Sequence, residues 1–108
     1  MTHVIVRSMG RIERIDVREI VWLSTAANYI EIHLHNRVVL HRTTLSSMEE
    51  RFDPEQFIRV HRTAIVCLSS IRSLEIGADG IYFAKLINGD EARISESYLK
   101  AVKARFAG

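Results

Sequence analysis

Phe57-Ile58-Arg59-Val60-His61-Arg62-Thr63-Ala64-Ile65-Val66 sets apolar residues against basic ones, and its reading decides how the rest of the chain is assembled. Successive side chains of an extended strand face opposite ways, so Ile58 and Val60 are expected to meet a core while Arg59 and His61 turn away from it. Read this way the stretch is a single half-buried strand with a basic face. Between Gln56 and Leu74 three arginines and a histidine stand with no carboxylate among them. Cations held on a rigid element form a local positive patch of the kind that meets a polyanion. An ordinary strand with a solvated basic face is the plainer reading of the same ten residues, and the flanking sequence has to decide between the two.

Upstream, Thr43 and Thr44 offer capping hydroxyls, Leu45, Met48 and Phe52 recur at helical spacing, and Asp53-Pro54 stops the pattern, which predicts a helix of about two turns. Before it, Tyr29-Ile30-Glu31-Ile32-His33-Leu34 alternates with period two, so Ile30, Ile32 and Leu34 face inward. The next strand is Val38 to Arg42. A two-residue loop at His35-Asn36 would oppose Ile32 to Val39 and leave Val38 and Leu40 outside, whereas a three-residue loop ending at Arg37 opposes Ile32 to Leu40 and buries both. The second register is expected, with Glu31 and His41 as outer-face neighbours. Ile20-Val21-Trp22-Leu23 reads as a buried strand anchored by Trp22, and Ser24 to Asn28 as a loop. His3-Val4-Ile5-Val6-Arg7 and Arg11-Ile12-Glu13-Arg14-Ile15, parted by Met9-Gly10, read as an opening hairpin whose link onward is the turn at Asp16 to Glu19.

Downstream, Ser69-Ser70 is a turn, Ile71 to Ile76 a strand, and Gly77-Ala78-Asp79-Gly80 a further turn. Ile81 to Leu86 and Glu91 to Ile94 form a hairpin about Asn88-Gly89. Ser95 caps a terminal helix with a stripe of Leu99, Val102 and Phe106, Glu96 in its first turn and Lys103 and Arg105 near its end. The expected fold is mainly β, with antiparallel strands, one short internal helix and one C-terminal helix.

The 108 residues, 47% hydrophobic, suffice for one compact domain and one core, spanning 1–108. Net charge is only +2, from 15 Lys and Arg against 13 Asp and Glu, so the distribution matters more than the sum. Glu75 to Glu91 holds four acids against Lys85, while Arg93, Lys100, Lys103 and Arg105 oppose Glu96 in the final stretch. One acidic edge and one basic edge follow. Cys67 has no intramolecular partner and lies in an apolar run, where it packs as a small hydrophobe and suits a reducing cytoplasm. No apolar run approaches the length of a membrane span, and a soluble, cytoplasmic domain is expected.

Catalytic readings find little support. His33 and His35 on one strand, with His41 across the turn, raise a zinc site, but no Cys, Asp or Glu accompanies them at ligand spacing. Cys67 and His61 carry no sign of an activated thiol, and neither a phosphate-cradling glycine loop nor a paired-carboxylate motif is present. No catalytic residue, metal, cofactor or small-molecule substrate is expected.

The run from Arg11 to Phe106 resembles the LytTR family of bacterial DNA-binding domains, found in LytR/AlgR-type transcription regulators. The residues that carry the likeness are Ile20-Val21-Trp22-Leu23, Asn28-Tyr29, the Thr44-Leu45 helix with Glu49-Glu50, the ten residues from Phe57 to Val66, and Ser95-Glu96-Ser97-Tyr98. The Phe-x-Arg-x-His-Arg-Thr element is the most specific of these. The resemblance implies an elongated stack of small antiparallel sheets that lies along double-stranded promoter DNA and sends loops into successive major grooves. It also implies binding to paired direct repeats, a second copy on the adjacent repeat, and a receiver or membrane domain in the longer proteins of the family. The 108 residues are then a cut-out domain or a stand-alone relative.

Carried over residue by residue, Asn28 matches a base-reading position, Arg62 falls in a second contacting loop, and Ser95 with Glu96 falls at the third. Asn pairs with adenine edges, Arg62 serves a guanine edge or a phosphate, Arg42 and His61 are candidate phosphate or packing residues, and Arg59, with Arg62, Arg93 and Lys100, is expected to supply most of the affinity for DNA. Each has a plainer role open to it: Asn28 in a left-handed turn, His61 as a satisfied core histidine, Arg42 paired with Glu31 or Glu49. Two departures stand out. Glu96 occupies a place where the family commonly has Arg, and Cys67 one where Asn is common. Glu96 keeps a second function open, a protein-interaction module on the same fold that has lost or weakened DNA binding.

Overall fold

The computed structural model describes all 108 residues as ten antiparallel strands and two helices. In chain order they are β1 (His3–Ser8), β2 (Arg11–Asp16), β3 (Ile20–Ala26), β4 (Tyr29–Leu34), β5 (Val38–His41), α1 (Leu45–Arg51), β6 (Phe57–His61), β7 (Ala64–Cys67), β8 (Ile71–Ile76), β9 (Tyr82–Leu86), β10 (Glu91–Ile94) and α2 (Glu96–Ala107). They form a two-stranded sheet β1-β2, a central five-stranded sheet in the order β5-β4-β3-β7-β6, and a three-stranded sheet β10-β9-β8. The molecule is elongated, 43 × 26 × 24 Å. No helix is long and apolar enough to cross a membrane.

The stack arises because β3, β7 and β6 of the central sheet are covered on both faces. Along β7, Ile65 belongs to one core and Val66 to the other; along β3, Leu23 and Val21 divide in the same way. The first core joins the inward residues of β3, β4 and β5 to Val4, Val6 and Ile15 of the opening hairpin and to Leu45, Met48 and Phe52 around α1. The second packs Val60, Val66 and Val21 against Ala84, Leu86, Ala92 and Ile94 of the three-stranded sheet and Val102 of α2. Two small sheets therefore cover opposite faces of the large one. Helix α1 starts where the sequence puts it, with Thr44 Oγ1 accepting from the Ser47 amide at 3.1 Å.

The single core expected from the sequence is thus divided into two clusters, and the structure corrects the reading at six further places. The stretch from Phe57 to Val66 is a hairpin, β6 and β7, turning at Arg62-Thr63, with a bulge between Arg59 and His61. Its alternation misleads because both faces are covered: Phe57 enters the first core, Ile58 and Val60 the second. The β4–β5 hairpin takes the register that the apolar pattern disfavours, Ile32 opposite Val39, with Leu34 N–H donating to Arg37 O across His35-Asn36. Val38 and Leu40 are left 51% and 45% exposed, and Glu31 faces Leu40 instead of His41. The opening hairpin holds this register from outside: Arg7 N–H donates to His41 Nδ1 at 3.1 Å, Arg42 N–H donates to Arg7 O at 3.1 Å, and Arg37 pairs with Glu13.

Strand β3 extends through Ala26, so the loop shrinks to Ala27-Asn28. Trp22 anchors a joint and not the interior. It is half-buried, stacks on His33 with ring centroids 4.2 Å apart, and donates from Nε1 to Asp90 Oδ2 at 2.9 Å, bolting the β9–β10 turn to the central sheet. Phe106 leaves the α2 stripe and is 41% exposed, since the helix outruns the sheet that Val102 packs on. Ser95 holds the cap position of α2 without a side-chain bond to the helix amides.

Candidate nucleic-acid interface

Antiparallel pairing brings four connections to one end of the strands. Ala26 opposite Tyr29 closes the β3–β4 turn, Ser24 opposite Ala64 sets the β6–β7 turn beside it, and Ile30 opposite His41 brings the β5–α1 connection to the same end. Backbone hydrogen bonds tie these turns together: Thr25 N–H donates to Thr63 O at 3.1 Å, and Ser95 N–H to Val60 O at 2.9 Å. The second bond docks the β10–α2 connection on the β6–β7 hairpin. Asn28, Arg42, Arg62 and Ser95, distant in sequence, are thereby gathered.

Asn28 and Arg42 line one depression with Thr25, Ala27, Tyr29, Thr43 and Thr44, and both are exposed. The left-handed residue of this turn is Ala27, at φ 55°, and not Asn28. A non-glycine residue held there is strained, and such strain gathers at functional loops. Arg62 is exposed at the tip of its turn. The ion pairs of the chain engage Arg11, Arg18, Arg37, Arg59, Lys85 and Arg105; Arg42, Arg62, Arg93 and Lys100 are among the nine cations they leave without a carboxylate partner. Arg42 therefore pairs with neither Glu31 nor Glu49.

At the β10–α2 connection, Arg93, Ser95 and Glu96 share a depression with Gly80, Tyr82 and Leu99. Lys103 lies over the Tyr82 ring, 4.6 Å from its centroid. Glu96 occupies the first turn of α2, where a carboxylate suits the helix dipole. The sign of charge at this connection is accordingly mixed.

Arg59 is set apart from the other cations. It is tied to Glu49 and to the carbonyls of His61 and Arg62, with a side chain only 12% exposed. Nothing local in the sequence signals Glu49, which lies on α1. Thr63, part of the motif but given no role by it, meets His61 Nδ1 through its N–H at 3.2 Å and its hydroxyl at 2.8 Å.

The His61 ring titrates below its ordinary value, first because it is partly buried and then because Arg93, Arg62 and Arg59 stand close to it. With Nδ1 accepting, the proton sits on Nε2. Burial likewise lowers His41 and His33, against a partial opposing pull on His33 from Asp90 and Glu31. His33 and His41 occupy opposite faces of the central sheet, His33 against Trp22 and His41 inward beside Arg7, so these two rings do not converge.

A histidine depressed by folding favours the folded state while neutral. Its stabilisation is complete above the unfolded value of about 6.5 and is lost as pH falls through that value toward the folded one. Three such rings predict a urea midpoint that declines as pH drops from about 7 through about 6.5. His41→Asn should flatten that fall, and an unchanged slope in this variant would contradict the assignment for His41.

Residues 10–107 match the family model described as the LytTr DNA-binding domain. The transcriptional regulatory protein LytR of Staphylococcus aureus is 27% identical over 94 residues, covering 87% of this chain and 38% of LytR. The positive alginate biosynthesis regulatory protein of Pseudomonas aeruginosa is 26% identical over 104 residues, covering 94% of this chain and 42% of that protein. The CO-responsive transcriptional regulator RcoM of Rhodospirillum rubrum is 33% identical over 61 residues. The chain thus spans 38% to 42% of the length of the first two. A solved LytTr DNA-binding domain from Bacillus cereus superposes with a TM-score of 0.86, covering 100% of this chain and 99% of that one at 17% identity, which speaks to the fold alone.

Proposed function

Because the chain belongs to the LytTR family of DNA-binding domains, we propose that it is the sequence-specific DNA-binding part of a transcription regulator and inserts its connecting loops into successive major grooves of promoter DNA. The observation that carries the reading is the gathering of Asn28, Arg42, Arg62 and Ser95 at one end of the strands, through the bonds Thr25 to Thr63 and Ser95 to Val60. Arg42, Arg62, Arg93 and Lys100 supply the attraction to phosphates, which positions the domain without reading sequence. Asn28 and Arg62 supply base contacts, for which a carboxamide matches adenine and a guanidinium matches guanine. Ser95 contributes a third, shorter contact, and His61 donates from Nε2 to a phosphate or holds the turn.

At about 3.4 Å per base pair, a molecule 43 Å long covers at most about a dozen pairs. Paired direct repeats, each holding one copy, are the operator form this size fits. A receiver or sensor segment in a longer protein, a cytoplasmic setting and a single cooperative unit over 1–108 complete the proposal.

A duplex enriched by the protein from a randomised library gives the test. Arg62→Ala should weaken binding to it by about 1 to 3 kcal/mol and relax the preference at one base position. Equal affinity at matched salt would remove Arg62 from the interface. A second reading, an interaction module that has lost its hold on DNA, is favoured by Glu96, which lines the depression at the β10–α2 connection together with Arg93.

A further inference from the structure

Arg59 spends its guanidinium on the protein itself. Nη1 donates to Glu49 Oε1 at 2.9 Å, Nε to His61 O at 2.8 Å, and Nη2 to Arg62 O at 2.6 Å. Two of the three acceptors are successive peptide carbonyls of the turn that carries Arg62. A planar fork fixes two peptide units relative to each other, which the single point charge of a lysine cannot do. The far side of the turn is held by the Thr25 to Thr63 bond. Glu49 enters from α1, whose Leu45 and Met48 are fixed in the first core and which begins directly after the connection carrying Arg42.

We infer that Glu49 and Arg59 are a positioning pair for DNA recognition: Glu49 orients Arg59, and Arg59 holds the His61 and Arg62 carbonyls so that the Arg62 side chain leaves its turn in the direction of the groove. Arg59 acts through Arg62 and not on a phosphate. The inference rests on the function proposed above, and it makes a prediction of sign that electrostatics opposes. The Glu49 side chain is 48% exposed beside the turn. Removing a negative charge near a polyanion tightens binding through the field alone, whereas removing a positioning carboxylate loosens it.

The experiment uses the 108-residue chain, its Glu49→Ala and Arg59→Lys variants and the double variant. Each is measured on the enriched duplex and on an unrelated one, at a temperature where circular dichroism finds all four folded. Glu49→Ala is expected to weaken binding to the enriched duplex about fivefold and to leave the unrelated duplex equal or tighter. Arg59→Lys should weaken the enriched duplex about tenfold at unchanged salt slope, and the double variant should be no weaker than Arg59→Lys alone. Tighter or equal binding by Glu49→Ala on the enriched duplex, wild-type affinity of Arg59→Lys, or additive losses would each overturn the inference. Amide hydrogen exchange reads the clamp without DNA: in Arg59→Lys the Thr63 and Thr25 amides should exchange about tenfold faster. Unchanged exchange overturns the clamp, while failure of the wild-type chain to bind any duplex overturns the DNA reading instead.

Discussion

Raising salt from about 50 to about 200 mM is expected to weaken the domain's hold on its DNA by about two orders of magnitude. Arg42, Arg62, Arg93 and Lys100 are exposed and have no carboxylate partner. Each phosphate neutralised releases condensed counterion, so four contacts give a log-log slope of about −3.6, or roughly 150-fold over a fourfold change in salt. Arg59, with its charge spent on Glu49, is left out of this count. Glu96 opposes the sum at the β10–α2 connection. Fluorescence titration at several salt concentrations measures the slope directly. A slope near zero would favour the interaction-module reading.

The second large effect falls on stability. Ile65 and Val66 are neighbours in β7, 1% and 0% exposed, and face different cores. Ile65→Ala should cost about 3 kcal/mol and Val66→Ala about 2 kcal/mol, from lost burial and the cavity left behind. For a domain of this size the first lowers Tm by roughly 15 °C. Because β3 and β7 contribute to both cores, either lesion should melt the whole chain in one step, with far-ultraviolet circular dichroism and Trp22 fluorescence coinciding. Two separated transitions would show that the sheets fold apart and would contradict a single unit over 1–108.

Local signals proved legible wherever the cause was itself local. Asn88-Gly89 and Met9-Gly10 mark hairpins, Thr44 caps α1, and the period of Tyr29 to Leu34 buries Ile30, Ile32 and Leu34. The β4–β5 register was not legible in that way. Counting apolar residues favours burying Val38 and Leu40, but bonds from Arg7 and Glu13, far upstream, outweigh them. The break at Arg62-Thr63 was hidden for a related reason: a hairpin buried on both faces carries no alternation that a single strand would not also show.

By itself, then, the order of residues determined the family, through its motifs, and the mainly β architecture, through turn chemistry, capping and period-two alternation. Only the tertiary structure decided that the connections carrying Asn28, Arg42, Arg62 and Ser95 meet at one end, that Trp22 serves a joint, and that Arg59 is bonded to Glu49 and to the His61 and Arg62 carbonyls. The physical reason is that each of these outcomes depends on hydrogen bonds and packing between segments far apart in the chain, such as Thr25 with Thr63, Val60 with Ser95 and Trp22 with Asp90, and no local pattern encodes a partner.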